Sequence, residues 1–205
     1  MSERAGAMAS GPSSTVWEDL AAVILAGGAG TRLGGRDKPA LAVGGVPMLD
    51  RVLGAVAGAR QRIVVGPPRD GLPPGVWCVR EEPPGSGPAA AVAAGLALVR
   101  VPLVALLAAD LPRLTPDAVE VLASEVSTVD GAVFVDEAGR RQLLCGVWRV
   151  DRLRGALDVL GDPAGRAMRQ LLGGLRVAEV RWPGADDLSP YFDCDTEEDL
   201  RRAAR

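Results

Sequence analysis

Six consecutive apolar residues, Ala21–Ala26 (AAVILA), form the first strong pattern in the chain. A run that short and unbroken, followed by glycines, suits a strand buried on both faces. Leu103–Ala108 (LVALLA) repeats the pattern downstream. Arg62–Val65, Val76–Val79, Ala132–Val135, Leu143–Val147 and Val177–Val180 read as further strands. Between them the period changes. Met48, Leu49, Val52, Leu53 and Val56 keep helical spacing within Pro47–Gly58, with proline at the helix start. Pro88–Val99 is an alanine-rich helix, and Val150–Leu160 and Ala164–Leu172 are two more. Thr115-Pro116-Asp117 supplies an N-cap, a first-turn proline and an early acid. Thr196–Asp199 reads as a capping box opening the last helix, with Asp where Glu or Gln is usual.

Strands alternating with helices predict an α/β fold: three layers, a mostly parallel sheet with helices on both faces. Ligands of such sheets bind beyond the carboxyl ends of the strands, here just after Ala26, Val65, Val79 and Ala108. Met1 to about Glu18 is small and polar, so residues 1–20 read as a disordered leader to one domain over 21–205. There is no internal repeat and no linker to a second domain.

The core should be aliphatic, because nearly half of the 205 residues are hydrophobic but very few are aromatic. A net charge of −3 argues against a nucleic-acid partner, since phosphate backbones reward basic faces. No apolar run approaches the roughly 18 residues of a membrane span, and no signal peptide opens the chain, so a cytoplasmic protein is expected. Cys78, Cys145 and Cys194 form no CxxC pair and no zinc spacing, and read as thiols in a reducing compartment. The chain has no histidine. That removes Ser-His-Asp and Cys-His catalysis and most zinc-hydrolase chemistry.

The strongest chemical signal follows the first strand: Leu25-Ala26-Gly27-Gly28-Ala29-Gly30-Thr31-Arg32-Leu33-Gly34-Gly35-Arg36-Asp37-Lys38. Glycines let backbone amides approach phosphate oxygens, and Arg32 and Lys38 add fixed positive charge. Two other phosphate loops do not fit. A P-loop needs Ser or Thr after Gly-Lys, but Lys38 follows Asp37 and precedes Pro39. A dinucleotide fingerprint needs a third glycine where Leu33 stands.

LAGGAGTRLGGRDKPAL resembles the LAGGxxxRxGxxDK signature of the MobA-like nucleotidyltransferases, and within that superfamily most resembles the molybdenum cofactor guanylyltransferases. The likeness runs from about Ala21 to Arg201, with later motifs in the family's order. It implies a Rossmann-like sheet of the nucleotide-diphospho-sugar transferase type. It also implies that Leu25, Ala26, Gly27, Gly28, Gly30 and Lys38 hold the nucleotide, with Arg32 and Lys38 acting on the phosphates. Glu81-Glu82-Pro83-Pro84-Gly85-Ser86-Gly87-Pro88 matches the family's loop for base and ribose. There Glu82 would accept hydrogen bonds from guanine and Gly87 would approach the nucleotide. A solvated acidic turn is the other reading of Glu82. Gly66 stands where a typical member has Asn, and Ala89-Ala90-Ala91 replaces the family's Leu-Ala-Gly.

Asp110, in Ala108-Ala109-Asp110-Leu111-Pro112, ends a buried strand where a carboxylate can hold Mg²⁺, which takes one or two carboxylates plus phosphate oxygens and water. The family has Asp-x-Pro here, and its Asp binds the metal. Phe192-Asp193-Cys194-Asp195-Thr196-Glu197-Glu198-Asp199-Leu200 resembles the family's closing motif. Its Asp195 or Asp193 would supply a second carboxylate, and helix capping accounts equally well for Asp195. Arg140 and Arg141 lie between two predicted strands, in a region that faces the second substrate in relatives, and a solvated hairpin explains them equally well; the same two readings apply to Arg166 and Arg169 on the helix after Pro163. The four Trp residues read mainly as packing.

The resemblance implies Mg²⁺-dependent transfer of GMP from GTP to the phosphate of a molybdopterin-type acceptor, by a monomer or weak homo-oligomer. The acceptor phosphate is already anionic, so the reaction needs no general base and hence no histidine. Transfer of CMP, another phosphorylated acceptor such as a sugar, polyol or phospholactate, and a non-catalytic nucleotide-binding regulator stay open.

Overall fold

The computed structural model describes residues 14–27, 37–183 and 189–204. In chain order the elements are α1 (Ser14–Glu18), β1 (Leu20–Leu25), β2 (Ala42–Val43), β3 (Val46–Pro47), α2 (Met48–Ala55), β4 (Gln61–Val65) and β5 (Val76–Val79). There follow α3 (Pro88–Leu96), β6 (Leu103–Ala108), α4 (Pro116–Ser124), β7 (Gly131–Val135), β8 (Arg141–Arg149), α5 (Val150–Leu160), α6 (Met168–Leu172), β9 (Val177–Val180) and α7 (Glu197–Ala203). Seven strands form one sheet in the order β5-β4-β1-β6-β8-β7-β9, and β2 and β3 form a separate hairpin. β1 pairs in parallel with β4 and β6, as β4 does with β5 and β7 with β9. β8 runs against both β6 and β7, so the sheet is mostly parallel.

The pleat divides the core into two. Leu20, Ala22 and Ile24 of β1 face one layer with α2 and α4, while Ala21 and Val23 face the other with α3, α5 and α6. Both faces are covered, which is why the central strands β1 and β6 are apolar throughout. Close packing explains several glycines. A Cβ on Gly95 of α3 would lie 2.5 Å from Val23 Cγ1, and one on Gly131 would lie 2.2 Å from the ring of buried Trp148.

Several boundaries differ from the sequence expectation, among them the end of α2 at Ala55 and both ends of β8, and three show their cause. Ordered structure starts ahead of Ala21: α1 precedes β1, and Trp17 packs on the core and donates its indole N–H to Glu120 Oε1 at 2.7 Å. α6 begins at Met168 rather than Ala164, because Ala164 N–H donates to Asp162 Oδ1 and Gly165 has φ +70°, which a helix cannot contain. Helix α3 stops at Leu96 and closes with tighter turns through Val99. Trp148 and Trp17 pack as expected, but Trp77 on the edge strand β5 is 57% exposed. Among the described residues no helix is long and apolar enough to cross a membrane.

The connections set the place of the site. From β1 the chain moves outward to β4 and β5, then returns across β1 to β6, and leaves β6 in the opposite direction. The adjacent carboxyl ends of β1 and β6 therefore flank a crevice at a topological switch point.

Candidate nucleotide-binding site

Backbone hydrogen bonds lock the strand ends around this crevice. Ala26 N–H donates to Val65 O at 2.8 Å, Gly66 N–H to Val79 O at 2.9 Å, and Ala109 N–H to Leu25 O at 3.0 Å. The exits of β1, β4, β5 and β6 are thus stacked side by side. Gly66 is the tight point: a Cβ there would sit 2.9 Å from the backbone C and O of Ala26. This closeness favours glycine at the position where the family typically has Asn.

Lys38 opens a 3-10 turn, Lys38–Ala40, after Asp37. Its ammonium donates to Asp110 Oδ2 and, at 2.7 Å, to Asp195 Oδ1. The side chains of Lys38 and Asp110 are each 19% exposed and that of Asp195 is 44% exposed. The turn after β6 carries Asp110, and Cys194 N–H donates to the Asp110 carbonyl at 3.3 Å, which fastens the C-terminal motif beside it. Cys194 points inward with no exposure, which leaves Asp195 on the crevice side. Thr196 and Asp199 then cap α7 reciprocally: Asp199 N–H donates to Thr196 Oγ1 at 3.1 Å and Thr196 N–H to Asp199 Oδ2 at 2.8 Å. Asp195 N–H also donates to Asp199 Oδ2 at 3.2 Å, so the cap orients the acidic residue before it.

Electrostatics in the crevice are strongly coupled. Burial opposes the charge on Lys38, but the attraction of Asp110 and then Asp195 outweighs it and raises the lysine above its usual value. Asp193 is held above the usual carboxylate range, by desolvation first and then by the charges of Asp110 and Asp195. The buried thiols of Cys145 and Cys194 are pushed up to about 12, chiefly by desolvation, which makes them poor nucleophiles.

Of the residues expected at the site, the structure brings Lys38, Asp110 and Asp195 into contact and puts Leu25, Ala26 and Gly27 at the adjoining strand exit. Gly28, Gly30 and Arg32 lie outside the described residues. Glu82 is exposed on the loop after β5, free to meet a ligand. Beneath it the buried Glu81 accepts Gly85 N–H at 2.9 Å and closes the turn, and Gly87 (φ +90°) leads into α3. The segment before α6 docks on this loop, with Gly165 N–H donating to Ser86 O at 2.7 Å and Ala89 N–H to Arg166 O at 3.4 Å. Arg166 therefore stands beside the loop, with its side chain exposed. Arg140 pairs with nearby Asp136 at 2.7 Å, and Arg141 pairs with Glu179 of β9 at 2.8 Å.

Sequence reading missed Arg69. Its guanidinium forks onto both carboxylate oxygens of Asp37, with Nη2 2.7 Å from Oδ1, and Nη2 also donates to the Ala26 carbonyl at 3.1 Å. A single arginine after Pro67-Pro68 carries no local pattern that would mark it.

The arrangement suits a hard cation. Two carboxylates, Asp110 and Asp195, meet around one positive group, the Lys38 ammonium. Two carboxylates completed by substrate phosphates are the usual Mg²⁺ donor set. Among the described residues no three His, Cys, Asp or Glu side chains form a self-sufficient metal cage.

A glycine-rich exit from the central strand, with a lysine and paired carboxylates at the switch point, defines a nucleotidyltransferase of the three-layer α/β class. Residues 22–179 match the family model of the MobA-like NTP transferase domain. The chain belongs to that family. It is 30% identical over 202 residues to the molybdenum cofactor guanylyltransferase of Mesorhizobium japonicum, covering 91% of this chain and 95% of that protein. A probable molybdenum cofactor guanylyltransferase of Natronomonas pharaonis is 37% identical over 121 residues, 54% of this chain and 59% of that protein. The structure of molybdopterin-guanine dinucleotide biosynthesis protein A from Archaeoglobus fulgidus superposes with a TM-score of 0.68 at 18% identity, covering 89% of this chain and 96% of that one.

Proposed function

We propose that the protein transfers GMP from GTP to the terminal phosphate of molybdopterin-type cofactor and releases pyrophosphate. The convergence of Lys38 with Asp110 and Asp195 at the switch point carries this reading. The names of relatives that match over most of this chain support guanine and the cofactor as substrates.

GTP lies across the exit of β1, with its triphosphate over the segment Gly27–Lys38 and its base toward the loop after β5. Glu82 accepts hydrogen bonds from the N1–H and exocyclic amine of guanine. An acceptor-phosphate oxygen attacks the α-phosphorus and the bond to the β-phosphate oxygen breaks. The attacking group is already anionic, so no side chain removes a proton. Arg32 and Lys38 stabilise the negative charge that develops on the α-phosphate and the leaving pyrophosphate. Lys38 must turn from the carboxylates toward the phosphates to do so, where the phosphate oxygens take over as its anionic partners. Asp110 and Asp195 would hold Mg²⁺. When bound, that ion supplies charge neutralisation and orientation of the phosphates.

The deciding experiment offers each of the four NTPs with molybdopterin as acceptor and measures Mg²⁺-dependent pyrophosphate release. GTP should be preferred. A preference for CTP would reassign the base, and turnover only with a sugar, polyol or phospholactate phosphate would reassign the acceptor. Tight GTP binding without pyrophosphate release from any acceptor would make the protein a non-catalytic nucleotide binder.

A further inference from the structure

We infer that Arg69 is a positioning residue for nucleotide binding, acting through Asp37 to hold the two flanks of the glycine-rich segment together and to aim Lys38. The inference rests on the reading of the site as a nucleotide site and adds a residue that this reading does not contain.

Arg69 belongs to the exit of β4, a different element from the segment it contacts. From the loop after Gly66, one guanidinium reaches two places: the Ala26 carbonyl at the end of β1 and the Asp37 carboxylate next to Lys38. Ala26 and Asp37 flank positions 27–36 of the phosphate motif, so the contact fixes the separation of its two ends. The planar fork of arginine matches both oxygens of a carboxylate, which fixes orientation as well as distance. The Arg69 side chain is 11% exposed whereas that of Asp37 is 52% exposed. The anchored partner is therefore the arginine and the positioned one is the aspartate.

Two consequences follow for Lys38. The Asp37 carbonyl accepts Ala40 N–H at 3.0 Å and the Lys38 carbonyl accepts Leu41 N–H at 3.1 Å, so the orientation of Asp37 starts the turn that directs Lys38. The second consequence is electrostatic. Asp37 is a negative charge inside a motif that receives a triphosphate. Arg69 neutralises it, and its hydrogen bond is the main reason why Asp37 lies below the usual carboxylate range. Without Arg69 an unpaired carboxylate would face the nucleotide, and the first residue of the Lys38 turn would lose its anchor.

The test is a double-mutant cycle on the full chain with Arg69→Met, Asp37→Asn and both together, plus Arg69→Lys. GTP affinity is read by titration calorimetry, and KM and kcat by pyrophosphate release. Arg69→Met should weaken GTP binding about tenfold or more, with coupling of similar size between the two sites. Asp37→Asn in that background should recover affinity by removing the unpaired charge, and Arg69→Lys should retain part of it. Additive losses at the two sites, or unchanged affinity in Arg69→Met, would overturn the inference. If Arg69→Met fails to fold, Arg69→Lys and Asp37→Asn decide between the same outcomes. Hydrogen exchange at Ala40 and Leu41 gives a readout that needs no nucleotide: Arg69→Met should speed it, and unchanged protection overturns the inference. Should the wild-type chain bind no NTP, the proposed function falls, and the exchange experiment still judges Arg69.

Discussion

In the proposed reaction, Lys38 is the residue on which the phosphate chemistry turns. It touches two carboxylates that come from the end of β6 and from the C-terminal motif, both distant from it in sequence. Under that proposal, truncating it removes a preorganised cation from the transition state. Lys38→Ala should lower kcat by about 10²–10³-fold while the fold is retained. Steady-state kinetics with circular dichroism as a fold control checks this, and undiminished turnover would exclude the role. At this scale the sequence singled out Lys38, Asp110 and Asp195 as candidates but did not show their mutual contact. It gave no hint of Arg69, because a salt bridge joining two loop exits leaves no periodic trace. Glu81 and Glu82 show the same limit. They are adjacent acids in sequence, yet one is buried and closes the loop while the other faces solvent.

Elements were the most legible level. Leu103–Ala108, Val76–Val79, Val177–Val180 and Val150–Leu160 fall where the pattern of apolar residues sets them. Caps were legible too, because Thr115 and Thr196 bond to amides only three residues on. The start of α6 was not, because residues 162–167 are held in a turn against the loop after β5, a tertiary contact that helical propensity cannot anticipate. Gly95 presents a similar conflict between local and tertiary preference. Replacing it with alanine would favour the isolated helix by about 1 kcal/mol. The new Cβ would meet Val23 Cγ1 at 2.5 Å and Val65 Cγ2 at 3.0 Å, both on buried strand residues. Overpacking of that kind costs about 1–3 kcal/mol and should prevail. Gly95→Ala is therefore expected to lower the urea midpoint; a stabilised variant would mean that α3 can shift off the sheet.

At the scale of the whole molecule, long-range ties fasten the start of the described chain and the β7–β9 side of the sheet. Trp17 of α1 packs on the core and against Gly58, and its indole donates to Glu120 on α4. Trp17→Ala should cost about 1–2 kcal/mol from lost apolar burial and one hydrogen bond. In a chain of this size that corresponds to a fall in Tm of roughly 2–8 °C, readable by calorimetry. An unchanged Tm would return residues 14–18 to the expected leader. On the far side of the sheet, buried Asp130 ties β7 to the chain entering β9. Arg176 N–H donates to its Oδ2 at 2.9 Å, and the guanidinium groups of Arg152 and Arg176 lie 3.4 and 3.6 Å from its Oδ1. The backbone hydrogen bond from Arg176, aided by both arginines, lowers its pKa against the opposing effect of burial. A lowered carboxyl contributes stability that is full above the unfolded value of about 3.9 and is lost as pH falls through the folded value. The stability gap between wild type and Asp130→Asn should accordingly be largest at neutral pH and close below about pH 4. Denaturant midpoints across that range test it, and a gap independent of pH would assign Asp130 a purely steric role.

The sequence by itself determined the alternation of buried strands and amphipathic helices, the glycine-rich motif after β1, and the acids of the later motifs. These are local facts, written in hydrophobic period and in the spacing of caps and glycines. Only the tertiary structure decided that β8 runs against its neighbours, that Cys194 carries Asp195 to Asp110, and that Arg69 joins Ala26 to Asp37. Each of these depends on crossovers that bring distant segments to the same sheet edge, and close packing selects one such arrangement without leaving a signal in any short stretch of chain.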